Sequence, residues 1–183
     1  MKKIERVIGV DPGLSTTGFG IIDQKAGQTR VVAYGTIKPP SKETLANRLE
    51  YLNSHMTNLL GKFEPHVMAI EDTFHSKNVK SALLLGQARG VLLLAAASKG
   101  LIAIDYAPRK VKQSVVGSGA ADKKQVQYMV KQILKIDSMP KSLDISDALA
   151  IGLCHINQNK YLSLIHISEP TRRRGIAYAG VWV

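Results

Sequence analysis

Residues 9–22 read GVDPGLSTTGFGII and place a carboxylate where an apolar strand ends. The residues before it, IERVIGV, have the apolar character of a buried β-strand, and Pro12 and Gly13 stop that strand directly after Asp11. A charged group in that position must be desolvated or must find a partner. The stretch therefore predicts that Asp11 belongs to a site whose other members lie elsewhere in the chain.

The composition predicts one domain with a polyanionic partner. The chain has 183 residues, of which 45% are hydrophobic, enough for one sizeable core but hardly for two. Lys and Arg number 25 against 14 Asp and Glu, a net charge of +11. Such a charge favours nucleic acid as the partner, ahead of an anionic membrane surface, although a merely solvated basic surface is an alternative.

Cysteine content and hydropathy predict a soluble cytoplasmic protein. The single Cys154 cannot form an internal disulfide, and the N-terminal residues do not have the pattern of a signal peptide. The longest apolar run, VLLLAAA at residues 91–97, is far shorter than the ~20 residues that span a bilayer. We therefore expect a reducing compartment and no membrane partner.

Turn residues and apolar runs predict a meander of strands followed by alternating helices and strands. The expected strands are residues 4–10, 18–23, 30–37, 67–70 and LIAIDY at 101–106, the last ended by a break at Pro108. The expected helices run from a cap at Ser41 to Gly61, over residues 79–98, from a cap at Asp122, and over residues 143–157. This order predicts an α/β domain with a mixed five-stranded sheet flanked by helices.

The helix expected at residues 79–98 is apolar around nearly its whole circumference, which predicts burial on more than one side. One explanation is contact with a second subunit. The other is a central core helix inside a monomer. The residue pattern alone leaves both open.

Four carboxylates occupy positions that predict a common site. Asp11 and Glu71 each end an apolar strand, and active sites of open α/β sheets gather outside such strand ends. Asp144 and Asp147 lie three residues apart, on one face of the last helix, and Ala148 continues that face as an apolar residue. Asp144 has an alternative role as a first-turn acid favoured by the helix dipole.

Four clustered carboxylates would repel one another unless a cation lay among them. Oxygen ligands suit Mg²⁺ or Mn²⁺, and the sequence has no Cys/His cluster of the kind that binds zinc. Two such ions ~4 Å apart can stabilise the attacking and leaving oxygens of a phosphoryl displacement. The four acids therefore predict metal-assisted phosphodiester chemistry.

Four motifs carry a resemblance to the bacterial RuvC Holliday-junction resolvases, which have the ribonuclease H-like fold. They are GVDPGLSTTGFG at 9–20, AIEDTFHSKNVKSALLLGQARG at 69–90, VKQSVVGSGAADKKQVQYMV at 111–130 and SLDISDALAIGLCH at 142–155. The likeness runs from about residue 4 to residue 157. It implies a structure-specific endonuclease that makes paired symmetric nicks in four-way junction DNA, in recombination and DNA repair.

The same resemblance implies cofactors, partners and catalytic residues. By motif position, Asp11, Glu71, Asp144 and Asp147 would be catalytic and would bind Mg²⁺, with two ions per active site and Mn²⁺ as a substitute. The protein would act as a homodimer. A branch-migration motor complex of the RuvA–RuvB type would load it on the junction.

Five further residues are DNA-binding candidates by the resemblance. Lys112 and Lys123 match basic positions that face DNA phosphate. Phe74 matches an aromatic residue that stacks on unpaired bases, although core packing is an alternative for an aromatic side chain. Lys77 and Arg89 would extend the phosphate track.

The resemblance stops near residue 161, and this divides the chain into a resolvase domain at residues 1–160 and a tail at 161–183. The tail sequence LSLIHISEPTRRRGIAYAGVWV is typical of neither a helix nor a basic extension. It looks like translated adapter sequence, which would carry no function. A genuine terminal extension is the alternative.

Three other functions compete with the resolvase. Sugar kinases and actin-like ATPases share a DxG hairpin but generally need two domains around a cleft. A non-catalytic DNA-binding module conflicts with four acids amid basic charge, because carboxylates repel phosphate. A ribonuclease H-like nuclease with another substrate would have the same fold and metal site.

Overall fold

The computed structural model describes residues 4–72, 78–138 and 142–168, with side chains up to Asn159. The strands and helices of this part of the chain are, in chain order, β1 (Glu5–Asp11), β2 (Thr17–Lys25), β3 (Gln28–Ile37), α1 (Leu45–Phe63), β4 (Val67–Glu71), α2 (Val79–Ser98), β5 (Ile102–Tyr106), α3 (Pro108–Val116), α4 (Lys123–Leu134) and α5 (Leu143–Ser168).

The five strands form one mixed sheet in the order β3-β2-β1-β4-β5. The first three strands are antiparallel because short turns connect them, whereas β4 and β5 run parallel to β1 and are reached through helices. The predicted fold class, a mixed five-stranded sheet flanked by helices, is confirmed. The carboxyl ends of β1, β4 and β5 consequently meet at one edge of the sheet.

Alternating residues of the central strands face two separate hydrophobic cores. Val7 of β1 and Ala69 of β4 pack in the core that contains α3, α4 and α5. Their sequence neighbours pack in the core that contains α1 and α2, on the opposite face. Side chains two residues apart on a strand share a face. Asp11 and Glu71 therefore lie on the α5 face of the sheet.

Helix α5 approaches the sheet closely because glycines leave room for its backbone. A β-carbon at Gly18 of β2 would overlap the carbonyl group of Asp144, the first-turn acid of α5. A β-carbon at Gly9 of β1 would overlap the carbonyl oxygen of Ala148 and would lie 2.7 Å from the backbone nitrogen of Gly152. These backbone contacts fix the start of α5 beside the end of β1.

A polar network fixes the other part of α5 to the sheet. The buried His155 places Nδ1 2.8 Å from the hydroxyl oxygen of Tyr106, and Asn159 donates a hydrogen bond of 2.9 Å to Glu5 of β1. Burial lowers the pKa of His155, which opposes the raising effect of Glu5. The imidazole is therefore held neutral, as suits a side chain that joins α5 to β5 and β1.

Helix α2 is buried on one side only within this chain. Its buried residues are the small or apolar Ala88, Leu92, Ala95 and Ala96, whereas Leu83 and Leu94 are 64% and 60% exposed. This one-sided burial argues against a central core helix inside a monomer, whereas contact of α2 with a second subunit stays a prediction. Among the described residues, α2 is also the one helix that is long and apolar enough to cross a membrane. Its exposed apolar face requires an explanation.

One helix was missed and two boundary predictions are wrong. The strand ends before Pro108 as predicted, but Pro108 then begins the unpredicted α3, because proline fits the first turn of a helix, where its missing N–H is not needed. Thr44, and not Ser41, caps α1. Helix α5 continues to Ser168, so residues 162–168 of the tail are helical, in keeping with a sequence that has no glycine or proline before Pro170.

We expect Gly18→Ala to destabilise the fold by about 2–3 kcal/mol, because the new β-carbon overlaps the backbone of α5. The matched control is Gly61→Ala in α1, where the nearest atom is Lys99 Nζ at 3.9 Å. The control should stabilise by about 0.5–1 kcal/mol, since alanine is the better helix former. Urea unfolding followed by circular dichroism measures both; equal effects of the two substitutions would contradict the close approach of α5.

Candidate active site

Asp11 and Glu71 form the centre of a carboxylate cluster at the sheet edge. Val10 and Ile70 are paired in the parallel register of β1 and β4, and the two acids follow directly after that pair. The two carboxyl groups are close enough to interact, and the negative charge of Glu71 raises the pKa of Asp11.

The electrostatics of this pair disfavour two adjacent negative charges. Burial first, and then the negative charges of Glu71, Asp147 and Asp144, raise the pKa of Asp11 to about 8 against the opposing effect of Lys123. Burial and Asp147 likewise raise the pKa of Glu71. The cluster thus concentrates more negative charge than its surroundings neutralise.

Helix α5 brings the two remaining acids to this edge. Asp144 lies in the first turn of α5, with its carbonyl group against Gly18, the β2 residue paired with Asp11. Its carboxylate accepts a 2.8 Å hydrogen bond from Ser142. Asp147 lies one turn later and acts electrostatically on both Asp11 and Glu71. The spacing of three residues therefore does place both acids on the face of α5 that meets the sheet.

Two lysines accompany the acids. Lys123, at the first position of α4, binds Asp147 through Nζ and Oδ2 at 2.7 Å, and this bond raises its pKa. Lys112 of α3 is close enough to Glu71 to lower the pKa of that carboxyl group. Both lysines approach from the α5 face of the sheet, so the acids have cations on that side.

The cluster fits a divalent cation in its donor chemistry but is not a closed ligand set. Within residues 4–72, 78–138 and 142–168, no three His, Cys, Asp or Glu side chains already lie close enough together to hold one metal ion. Lys123 and Ser142 instead bind the two α5 acids. All four donors are oxygens, the preference of Mg²⁺ and Mn²⁺. Joint coordination by the four acids stays a prediction.

Comparison with known proteins shows which family the chain belongs to. The sequence model of the family described as crossover junction endodeoxyribonuclease RuvC matches residues 7–155. This chain belongs to the RuvC family. A RuvC of Halothermothrix orenii is 46% identical over 151 residues, which cover 82% of this chain and 92% of that protein. A RuvC of Syntrophomonas wolfei is 40% identical over 163 residues, covering 89% and 95%.

Solved RuvC structures share the fold. The structure of T. thermophilus RuvC in complex with Holliday junction substrate superposes with a TM-score of 0.82 at 31% identity, covering 87% of this chain and 97% of that one. The yeast mitochondrial Holliday junction resolvase Ydc2 matches with a TM-score of 0.65 at 13% identity, covering 89% and 84%, a likeness of fold. The ribonuclease H-like resolvase fold expected from the motifs is confirmed.

Of the remaining DNA-binding candidates, the structure describes Arg89 but not Phe74 or Lys77. Arg89 of α2 forms an ion pair with Asp105 of β5, through Nη2 and Oδ1, and this occupies one edge of its guanidinium. Its role in DNA binding stays a prediction. Phe74 and Lys77 fall outside the described residues, and their proposed base and phosphate contacts also stay predictions.

Sequence reasoning missed a second feature of this RuvC site, a cleft of 490 Å³ that Asp144 also lines. Its wall includes Arg48 of α1, which donates a 3.0 Å hydrogen bond from Nη2 to the carbonyl oxygen of Leu14 in the β1–β2 loop. Arg48 stands 37 positions after Asp11 on an amphipathic helix, and its sequence context has no motif that would single it out. Only the packing of α1 against that loop reveals its place.

Substitution of Asp11 should change the pH dependence of stability of the metal-free protein. The unfolded chain loses the Asp11 proton near pH 4, whereas the folded chain keeps it to about pH 8. The unfolded state therefore binds fewer protons over that window, and stability falls as the pH rises. Asp11→Asn removes this loss and should be more stable than wild type at pH 8 by about 1–3 kcal/mol.

Urea unfolding in EDTA at pH 5 and pH 8 measures the effect. The matched control is Asp137→Asn, an exposed aspartate that follows α4. The control should track the wild type at both pH values. If the free energy of unfolding of Asp11→Asn had the same pH dependence as that of the wild type, the pKa of Asp11 would not be raised in the folded protein.

Proposed function

We propose that this protein is a crossover junction endodeoxyribonuclease, an enzyme that hydrolyses phosphodiester bonds of four-way junction DNA by paired symmetric nicks in recombination and DNA repair. The observation that carries the proposal is the carboxylate cluster formed by Asp11, Glu71 and the first turns of α5 in a chain of the RuvC family. The family likeness gives the substrate, and the cluster gives the chemistry.

Asp11, Glu71, Asp144 and Asp147 are the proposed catalytic residues and the proposed ligands of two Mg²⁺ ions, for which Mn²⁺ would substitute. Bound divalent cations would activate the attacking water and stabilise charge on the leaving oxygen. The raised pKa of Asp11 supports this role, because a buried carboxylate with acidic neighbours gains most from a cation. The acids themselves hold the ions and orient them toward the substrate.

Lys112 and Lys123 are the proposed phosphate contacts beside the acids. Lys123 neutralises Asp147 in the metal-free protein. A cation at the acids would take over that neutralisation and leave the ammonium group of Lys123 for a DNA phosphate. Lys112, a half-buried residue of α3, lies on the same side of the sheet edge and would contact the same strand.

A homodimer through α2 is the proposed assembly. The exposed face of α2 carries Leu83 and Leu94, and glycines at 86 and 90 have open space where a β-carbon would be. A second copy of α2 could therefore approach closely along a self-complementary apolar face. Paired symmetric nicks also require two equivalent active sites. The Arg89–Asp105 ion pair beside this helix favours a protein partner over lipid.

A cytoplasmic location and a RuvA–RuvB-type motor partner complete the proposal. The motor partner is proposed on the motif resemblance alone, and the location is proposed because the relatives are named as nucleases of DNA junctions.

Incubation with a synthetic four-way junction and with a linear duplex of the same sequence tests the function. We expect symmetric nicks in the junction only when Mg²⁺ is present. Asp11→Asn should lower the cleavage rate by about a thousandfold or more, because a catalytic metal ligand is lost, while junction binding is retained. The exposed Asp137→Asn serves as the control and should cut normally. Equal cutting of the duplex would instead indicate a general ribonuclease H-like nuclease.

Substitution of Leu83 tests the dimer. Leu83→Glu replaces an apolar side chain with a charged one in both copies of the dimer. Because buried apolar area is lost on both sides of the interface, the dimer should dissociate about a hundredfold or more readily. Tyr128→Glu on α4 is the matched control, since the side chains are 64% and 62% exposed. Sedimentation velocity over a concentration series measures both, with circular dichroism as the check on folding. A wild type that stays monomeric, or a Leu83→Glu protein that dimerises normally, would contradict the α2 interface.

A further inference from the structure

The cleft beside Asp144 lies on the side of the acids away from the two lysines. Its wall consists of the β1–β2 loop at residues 13–16, Arg48 of α1, the start of α2 and Asp144 of α5. Helices α1 and α2 pack on one face of the sheet, whereas α3 and α4, which carry Lys112 and Lys123, pack on the other. The acids at the sheet edge therefore lie between Lys112 and Lys123 on one face of the sheet and Arg48 on the other.

Arg48 presents a positive charge to this cleft without a carboxylate partner. In the described part of the chain the Arg48 guanidinium is in no ion pair, and its one hydrogen bond goes to the carbonyl oxygen of Leu14. A guanidinium without a carboxylate partner has further N–H donors for an anion.

The surroundings of Arg48 match one kind of anion. Ser15, Thr16 and Ser81 line the same cleft and add hydroxyl groups that can donate to oxygen. A guanidinium binds the oxygens of a phosphate through two parallel N–H bonds, which a lysine cannot do. The structural alternative is that Arg48 only holds the β1–β2 loop. That role uses Nη2 alone among the guanidinium nitrogens and gives the positive charge no partner.

We propose that this cleft binds the backbone phosphate that neighbours the scissile phosphate in the cleaved strand, and that Arg48 contacts that phosphate. A strand crossing the acids then meets the lysines of α3 and α4 on one side and Arg48 on the other. Arg48 thus fixes where along the strand the acids act. This inference rests on the proposed nuclease function and adds a substrate contact to it.

Methylphosphonate substitution tests the contact, because it removes the charge of one chosen phosphate. Junction binding is measured in the Asp11→Asn background with Mg²⁺, so that no cleavage occurs. The variants are Arg48→Met, which keeps the length of the side chain without its charge, Arg48→Lys, and the control Arg30→Met. Arg30 is an exposed residue of β3 opposite Asp23, at the sheet end away from Asp11.

Arg48→Met should weaken junction binding about tenfold or more, the loss of a charged hydrogen bond. It should also lower the salt slope of binding by about one. Arg48→Lys should bind with intermediate affinity, and Arg30→Met should bind normally. Neutralising one phosphate next to the nicked position should lower the junction affinity of the protein that keeps Arg48. The same neutralisation should not lower the affinity of the Arg48→Met variant any further.

The inference is overturned if the Arg48→Met variant binds the junction as tightly as the protein with Arg48. It is also overturned if each methylphosphonate lowers the junction affinity of the two proteins by the same factor. The second result would assign Arg48 to holding the loop alone. A failure of the proposed function is separately visible, since the Asp11→Asn protein with Arg48 intact would then bind the junction no better than a linear duplex.

Discussion

The close backbone contact between α5 and the first two strands is the constraint on which the site depends. Gly9 and Gly18 leave no side chain between the sheet and the helix, so the first turn of α5 lies against the end of β1. Asp144 and Asp147 reach the sheet edge only because of this approach. Glycine in a strand costs about 0.5–1 kcal/mol relative to alanine, and the chain accepts this cost at positions where a β-carbon would overlap the helix.

A second consequence of the close approach is stored electrostatic repulsion. Alternation along β1 and β4 points Asp11 and Glu71 toward α5, and the helix adds two more acids to the same edge. The raised pKa of Asp11 and of Glu71 reflects this repulsion, and the ion pair of Lys123 with Asp147 offsets part of it. Repulsion among the acids thus lowers the stability of the fold unless the proposed Mg²⁺ ions offset it. Active sites commonly lower stability in this way for the sake of activity.

The sequence predicted the features that local patterns encode. Carboxylates at the ends of apolar strands, and the three-residue spacing on α5, indicated Asp11, Glu71, Asp144 and Asp147 as neighbours, and strand order indicated a mixed sheet. Other features depend on tertiary packing and were missed or wrong. Pro108 begins α3, and Arg48 gains its place beside the acids from the packing of α1 against a distant loop. No local pattern distinguishes these outcomes from their alternatives.

The most direct test of convergence is the position of bound Mn²⁺, located by anomalous diffraction from crystals soaked with the ion. The account predicts Mn²⁺ within about 2.0–2.3 Å of oxygens of Asp11, of Glu71 and of at least one α5 aspartate, with Lys123 no longer bound to Asp147. Crystals of Asp11→Asn should lose this density. Mn²⁺ bound elsewhere, or bound by Asp11 and Glu71 with both α5 aspartates turned away, would contradict the claim that α5 completes the site.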